Sequence, residues 1–200
     1  MLSKLKIIIS KTIFLLLFSI VVSRDGAPKL FSFNQSTFQA FYFFEKVLID
    51  SSNFVLIGIS AGALNTPAIY EALPVKPKCV ALVAGGANLP EIVQKSTLTN
   101  WDFVVDGKFL TIEQRQTLSA RYLDTFSRDP YHLSGLLSRE KTLLLHAKWD
   151  KIVPAENGDL LWDRSGRPER WVYPSGHLGL FAISHDYARE LVDWIQEKLQ

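Results

Sequence analysis

A charge-free apolar run that leads into a glycine-flanked serine constrains the fold of this chain more than any other feature. Residues 54–57 have the sequence Phe-Val-Leu-Ile, which is typical of a strand buried on both faces of a sheet. A helix is predicted over residues 61–73, and Pro74 ends it. Three residues separate the strand from the helix, so the sequence predicts a sharp turn between them.

The turn itself places one serine in an exposed position. In Gly58-Ile59-Ser60-Ala61-Gly62, the central residue lies where the strand turns into the helix. The glycines two positions to either side leave room for the crowded backbone. The Ser60 hydroxyl is therefore expected at the carboxyl end of the sheet. The helix that begins behind it offers backbone N–H groups to an oxyanion.

Further strands and helices alternate along the chain. Apolar runs predict strands over residues 79–84 and 142–147, with a weaker strand over 170–173. Helices are predicted over 36–48 and 186–199, and residues 88–137 are polar and mostly helical. This alternation predicts an α/β fold with a parallel sheet and right-handed crossovers.

A carboxylate and an imidazole follow two of these strands. Asp150 lies in the loop after residues 142–147, and His177 lies in a Pro/Gly-containing loop after residues 170–173. A carboxylate in that position can hold an imidazole in the correct tautomer and stabilise its charged form. Ser60, Asp150 and His177 are thus the predicted nucleophile, acid and base.

Each of these residues also has a simpler interpretation. Ser60 could be a turn serine, Asp150 could cap the helix near Glu156, and His185 could replace His177 as the base. His185 lies within or beside the last helix, which favours a structural role. Asp129 and Asp163 are weaker candidates for the acid. His146, at a strand end, is expected to be packed or hydrogen-bonded, and His132 is expected at the surface. Two aromatic residues could line a pocket or simply pack: Trp101 and Trp149.

These residues give the sequence its similarity to a known family. From about residue 36 to residue 200 it resembles the α/β-hydrolase superfamily, with Ser60 at the nucleophile elbow, Asp150 at the acid position and His177 at the Gly-His position before the last helix. The resemblance implies a mostly parallel sheet with flanking helices and a small helical cap over residues 88–137. It also implies acyl transfer without a cofactor or metal, with the Ala61 N–H as one oxyanion donor.

Two functional hypotheses follow from the resemblance. In the first, the chain is a serine hydrolase that cleaves a small ester, thioester or amide through an acyl-enzyme on Ser60. In the second, it is a truncated, non-catalytic relative that acts as a binding protein or is an incomplete gene product. Only 53 residues precede Phe54, and no His-Gly motif that would supply a second oxyanion donor occurs before Ser60. The usual N-terminal strands are therefore expected to be missing, or one of them is hidden in the apolar run before residue 23.

That apolar run has two interpretations. Lys4, Lys6 and Lys11 precede the run at 13–22, a pattern typical of a signal peptide or membrane anchor over residues 1–23. The alternative is a buried strand over residues 18–23 with a turn at 25–28. Export or membrane association through residues 1–23 is favoured over a cytoplasmic location, and residues 24–200 are assigned to the hydrolase core.

Charge and cysteine content limit the remaining classes of function. The formal net charge is +2, from 22 basic and 20 acidic residues without a basic run, so no nucleic-acid partner is predicted. The single cysteine, Cys79, rules out an internal disulfide and a cysteine-based zinc site. The expected partner is a small-molecule acyl substrate.

Overall fold

The computed structural model describes residues 54–98 and 110–200 with their side chains, and four more strands by their backbone alone. The strands are β1 (Phe18–Ser23), β2 (Lys29–Ser32), β3 (Phe54–Ile59), β4 (Cys79–Val83), β5 (Val104–Val105), β6 (Lys108–Phe109), β7 (Thr142–Ala147) and β8 (Glu169–Tyr173). The α-helices are α1 (Ala61–Ala72), α2 (Leu89–Lys95), α3 (Ile112–Thr125), α4 (Pro130–Leu133), α5 (Ala155–Arg164), α6 (His177–Ala182) and α7 (Ser184–Leu199). Two short 3₁₀ helices lie at Ser134–Leu136 and Arg139–Lys141.

Six strands form one sheet in the order β2-β1-β3-β4-β7-β8. Strands β3, β4, β7 and β8 are parallel, so the segments that follow β3, β7 and β8 lie at the same end of the sheet. These segments contain Ser60, Asp150 and His177. Strand β1 runs antiparallel to β3, with Phe18 opposite Ile59 and Ser23 opposite Phe54. The side of β3 away from β4 is therefore paired, and it is not the exposed edge that a shortened sheet would have. The remaining strands, β5 and β6, form a separate ribbon.

The central strands are mostly apolar because helices cover both faces of the sheet. On one face, alternate residues of β3, β4 and β7 pack against α6 and α7. The buried residues of this face include Val55, Ile57, Cys79, Ala81, Leu143, Leu145, Leu180, Tyr187 and Trp194. On the other face, the intervening residues pack against α1 and α5, and include Phe54, Leu56, Ala63, Val80, Leu82, Leu144 and Leu161. Each large side chain buried in this way contributes about 1.5–3 kcal/mol.

The predicted strands and the last helix are confirmed to within two residues at each end. Two helices were not predicted as such: α5 and the short helix α6. His177 is the first residue of α6, with Gly176 as its N-cap, so its expected position in a loop is wrong by one residue. Strand β1 spans Phe18–Ser23, which are the residues assigned to a strand in the second interpretation of the N-terminal apolar run.

Several predictions fall outside the described residues. The helix at 36–48, Trp101 and residues 1–17 are among them, so the signal or anchor over 1–23 stays a prediction. In the part of the chain that the structure describes, no helix is long and apolar enough to cross a membrane.

Candidate active site

The backbone at Ser60 is strained, as the turn from β3 into α1 requires. Its φ of 52° and ψ of −117° are unusual for a residue with a side chain. The Ser60 N–H donates a hydrogen bond to the Val83 carbonyl at 2.8 Å, which ties the turn to the end of β4. The neighbouring strand thus holds Ser60 in this conformation.

Close packing explains why Gly58 precedes this turn. A Cβ at position 58 would lie 2.0 Å from Thr66 Oγ1 and 2.8 Å from Ala63 Cα. The second of these contacts is with backbone, which cannot rotate away. Gly62, on the other side of the turn, is buried in the first turn of α1. Gly58 therefore lets α1 approach β3 closely enough to present Ser60 at the end of the strand.

The structure brings the three sequence-predicted residues into one hydrogen-bonded chain. Ser60 Oγ lies 2.9 Å from His177 Nε2, and His177 Nδ1 lies 2.6 Å from Asp150 Oδ2. All three side chains are buried. Because a carboxylate oxygen can only accept, Nδ1 carries a proton, which leaves Nε2 of the neutral ring to accept from the serine hydroxyl. This is the arrangement in which a histidine can take the proton of an attacking serine.

The carboxylate of Asp150 orients His177 and also closes the turn that precedes α5. Its Oδ1 accepts hydrogen bonds from the N–H groups of Ile152 and Val153, each at 2.9 Å, and its Oδ2 is left to accept from His177. Asp150 does not cap the helix near Glu156, because the N-cap of α5 is Pro154 and no side chain accepts there. The two turn bonds fix the direction of the carboxyl group, so local turn structure orients the residue that orients the imidazole.

Backbone hydrogen bonds join the loop that carries Asp150 to the loop that carries His177. The Lys148 N–H donates to Tyr173 O at 2.8 Å, and the Trp149 N–H donates to Ser175 O at 3.0 Å. These bonds continue the β7–β8 pairing beyond the ends of the strands. The acid and the base are thereby fixed relative to each other by main chain alone.

The predicted oxyanion donor lies at the start of α1. Ala61 is the first residue of that helix, and an N–H in the first helical turn has no acceptor within the helix. The positive end of the helix dipole lies at the same position. The segment in which a second donor was sought, before Phe54, lies outside the residues described with side chains.

His146 lies on the strand that leads to Asp150 but takes no part in the triad. It is buried, and neither ring nitrogen has a hydrogen-bond partner. Burial lowers the pKa of His146 to about 3, the positive charge of Arg170 acts in the same direction, and Asp150 opposes both. A Cβ on Gly158 would lie 3.1 Å from the imidazole, so the ring packs closely against α5. Of the two roles expected for His146, packed or hydrogen-bonded, the structure shows packing.

The other candidate histidines and acids lie away from the triad. His185 is exposed on α7 and pairs with Asp186 at 2.7 Å, while His132 is exposed and lies 2.7 Å from the Leu123 carbonyl. Asp163 pairs with Arg167 at the surface. None of these groups touches Ser60 or Asp150.

Asp129 has a structural role that the sequence did not reveal. Its buried carboxylate accepts N–H bonds from Asn88 at 3.0 Å, Leu89 at 2.9 Å and Tyr131 at 2.7 Å. The first two lie where the chain leaves β4, and the third lies where it returns through α4. Asp129 thus joins the two ends of the segment inserted between β4 and β7. The sequence signal was local: an Asp directly before Pro130 is a helix N-cap.

Among the residues that the structure describes, no group of three or more His, Cys, Asp or Glu side chains could hold a metal ion.

Solved structures share this arrangement of strands and helices. An esterase from Pyrococcus furiosus superposes with a TM-score of 0.53 over 81% of this chain, at 13% sequence identity. An acylaminoacyl peptidase from Pyrococcus horikoshii superposes with a TM-score of 0.58 over 80% of the chain, at 14% identity. An α/β-hydrolase from Vibrio vulnificus gives a TM-score of 0.55 over 76%, also at 14% identity. The chain has an α/β-hydrolase-like fold.

The matched α/β-hydrolase-like structures are longer than this chain. It covers 60% of the P. furiosus esterase, 52% of the V. vulnificus protein and 26% of the P. horikoshii peptidase. A protein from Bacillus subtilis, the uncharacterized YdjC, is 34% identical over 71 residues, which are 36% of this chain and 61% of YdjC. No protein-family model matches the sequence.

Proposed function

We propose that the chain is a serine hydrolase that cleaves a small ester, thioester or amide through an acyl-enzyme on Ser60. The observation that carries this proposal is the hydrogen-bonded chain from Ser60 through His177 to Asp150, with distances of 2.9 and 2.6 Å. The α/β-hydrolase-like fold supports it, because the serine lies at the strand-to-helix turn where such folds present a nucleophile.

The proposed acylation step uses each of the three side chains once. His177 Nε2 removes the hydroxyl proton as Ser60 Oγ attacks the acyl carbon, and the carbonyl oxygen gains the negative charge. The Ala61 N–H and the start of α1 stabilise that oxyanion. The proton on Nε2 then moves to the leaving alcohol, thiol or amine as its bond to carbon breaks, which leaves the acyl group on Ser60.

Deacylation repeats these steps with water as the nucleophile. His177 removes a proton from the water, the oxygen attacks the acyl carbon, and the proton returns to Ser60 Oγ as the acid leaves. The Asp150 carboxylate stays ionised and stabilises the imidazolium that forms in each half-reaction. The two backbone hydrogen bonds that its Oδ1 accepts keep it in place during both.

The assembled site favours the enzyme over the non-catalytic relative. A binding protein has no need of a strained serine, which costs of order 1–3 kcal/mol. Residues 88–137, which include α2, α3 and α4, are proposed as the cap that restricts the substrate to a small acyl group. The proposed partner is accordingly a small acyl compound and not a nucleic acid.

Hydrolysis of short-chain nitrophenyl esters tests this function. The wild-type chain is expected to release nitrophenol with saturation kinetics, and Ser60→Ala is expected to lose about 10⁴-fold or more in kcat. Ser127→Ala, at an exposed serine outside the triad, is the matched control and should keep the wild-type rate. Equal rates for wild type and Ser60→Ala, in chains shown to be folded by circular dichroism, would reject the proposal.

A further inference from the structure

Exposed apolar side chains lie directly beside the candidate catalytic residues. Trp149 is 58% exposed and precedes Asp150, Leu178 is 71% exposed and follows His177, and Leu98 is 48% exposed. Two exposed lysines, Lys148 and Lys151, flank Trp149 in the sequence. These five residues, Leu98, Lys148, Trp149, Lys151 and Leu178, are called the rim below.

Hydrogen bonds place the rim segments side by side. The Thr97 N–H donates to Lys151 O at 2.7 Å, which holds the segment of Leu98 against the loop that carries Asp150. The Trp149 N–H donates to Ser175 O at 3.0 Å, two residues before His177. Because β7 and β8 are parallel, the loops after them lie at the carboxyl ends of the strands, on the same end of the sheet. The rim is therefore one surface at the end of the sheet that carries Ser60.

The chemistry of the rim is amphipathic. An indole has an apolar body and a polar N–H, and such rings are favoured at the headgroup level of a membrane. Among the described residues, neither Lys148 nor Lys151 forms an ion pair, so both charges are available. Glu156, on the helix after this loop, is already paired with Lys95 at 3.2 Å. Exposed apolar groups between unpaired cations match a surface of anionic lipid.

We propose that the rim docks on an anionic lipid surface and that the acyl substrate reaches Ser60 from that surface. The part about substrate rests on the proposed serine hydrolase function, whereas the docking does not. The reaction is then hydrolysis of an ester that joins a small acyl group to a lipid: water is consumed, and a small carboxylic acid and the lipid alcohol are released. Trp149 and Lys151 flank Asp150, and Leu178 follows His177. Contact of these side chains with a lipid surface would therefore place the lipid next to the triad while the triad side chains stay free to react.

Vesicle sedimentation with the Ser60→Ala protein tests docking separately from catalysis. Vesicles of phosphatidylglycerol mixed with phosphatidylcholine are compared with vesicles of phosphatidylcholine alone. The rim variants are Trp149→Ser, Leu178→Ser and Lys151→Gln. Matched controls lie just before β4, at the opposite end of the sheet from the rim. They are Val75→Ser, at an exposed aliphatic residue, and Lys78→Gln, at an exposed lysine.

If the rim docks, the parent protein should bind anionic vesicles, and this binding should weaken as salt is added. We expect Lys151→Gln to weaken the binding about fivefold, and the addition of Trp149→Ser to weaken it further. The controls should bind like the parent protein. Absence of binding, or equal loss in rim and control variants, would overturn the proposal. So would self-association that the rim variants abolish, because the rim would then be covered by a second copy of the chain.

Catalysis supplies a separate outcome with the wild-type chain. A lipid-borne ester of a small acyl group should be hydrolysed faster in anionic than in neutral vesicles if the docked rim delivers it. Docking without that difference would overturn the delivery of substrate while leaving the proposed esterase activity on soluble esters intact. Failure on soluble and lipid esters alike would reject the hydrolase and leave the vesicle-binding result to decide the docking.

Discussion

At the scale of single residues, the polar atoms of Asp150 and His177 each have a separate role. Oδ1 of Asp150 accepts from two backbone N–H groups and Oδ2 accepts from His177, while the two nitrogens of His177 divide between Asp150 and Ser60. Because Oδ2 makes no bond to the turn, it is available to the imidazole. The turn-forming role of Asp150 therefore does not compete with its role beside the histidine.

The division of atoms predicts the effect of Asp150→Asn. The amide can still accept the two backbone bonds through its oxygen, so the loop should keep its shape. Its NH₂ group, however, then faces His177 Nδ1, which favours the wrong tautomer and removes the charge that stabilises the imidazolium. We expect kcat on a nitrophenyl ester to fall about 10⁴-fold. A melting temperature close to that of wild type should accompany the loss, and an active Asn variant would contradict the role of Asp150.

The lowered pKa of His146 makes the free energy of unfolding depend on pH. Its pKa of about 3 in the folded chain lies below the value of about 6.5 expected when unfolded, so the unfolded chain binds a proton first as the pH falls. The stability that depends on neutral His146 is therefore present above pH 6.5 and is lost progressively between pH 6.5 and 3.

Urea unfolding at pH 7 and pH 5 measures this contribution. We expect His146 to account for a loss of about 1–2 kcal/mol of unfolding free energy between these values. His146→Met should remove that part of the difference, and His185→Gln, at an exposed histidine, should not. An unchanged pH dependence in His146→Met would show that the buried ring does not resist protonation.

At the scale of elements, the turn between β3 and α1 determines whether the site can form. Ser60 is held by a hydrogen bond to the end of β4, and Gly58 allows α1 to pack against β3. The order of the site therefore depends on three elements meeting at one point. A side chain added between α1 and β3 should therefore displace Ser60 and also lower the free energy of unfolding.

Gly58→Ala tests the contact between these elements. The added Cβ would meet backbone of Ala63 at 2.8 Å, so α1 must move away from β3. We expect a loss of about 3 kcal/mol in unfolding free energy or more, measured by urea denaturation. Gly135→Ala is the control, because its Cβ would meet nothing closer than Arg164 O at 3.7 Å. If both variants unfold alike, the close approach at Gly58 is not needed.

Local sequence predicted the elements whose signal is local. Strands β3, β4 and β7 are built around apolar runs, and those runs predict their positions to within two residues at each end. The predicted end of β3 is two residues short, because the strand continues through Gly58 to Ile59. Helix α6 was missed because it has six residues, one of them Gly179. The role of Asp129 was missed because its partners Asn88 and Leu89 lie about 40 residues away in the sequence. No local pattern reports a contact over that distance.

At the scale of the whole molecule, the parallel strands form a buried centre covered by helices on both faces. Cys79 lies in this centre on β4, between β3 and β7, with no exposed surface. Burial raises the pKa of the Cys79 thiol to about 12, so the reactive thiolate is scarce at neutral pH. Cys79 is therefore a packing residue of the interior, and we expect its thiol to be unreactive in the folded chain.

This position makes Cys79 a probe of global unfolding. In the native chain at pH 8, we expect no reaction of the thiol with Ellman's reagent over hours, and complete reaction once the chain is unfolded in urea. The rate at intermediate urea should follow unfolding measured by circular dichroism. Rapid reaction without urea would mean that β4 is not in the interior.

Labelling with a fluorophosphonate tests the central claim most directly, because the probe reacts only with a serine that a base has activated. We expect one phosphonylated site in the folded wild-type chain, assigned to Ser60 by mass spectrometry of its peptide. We also expect no labelling of Ser60→Ala and at most slow labelling of Asp150→Asn. A folded wild-type chain that stays unlabelled, or is labelled at another serine, would contradict the assignment of Ser60 as the nucleophile.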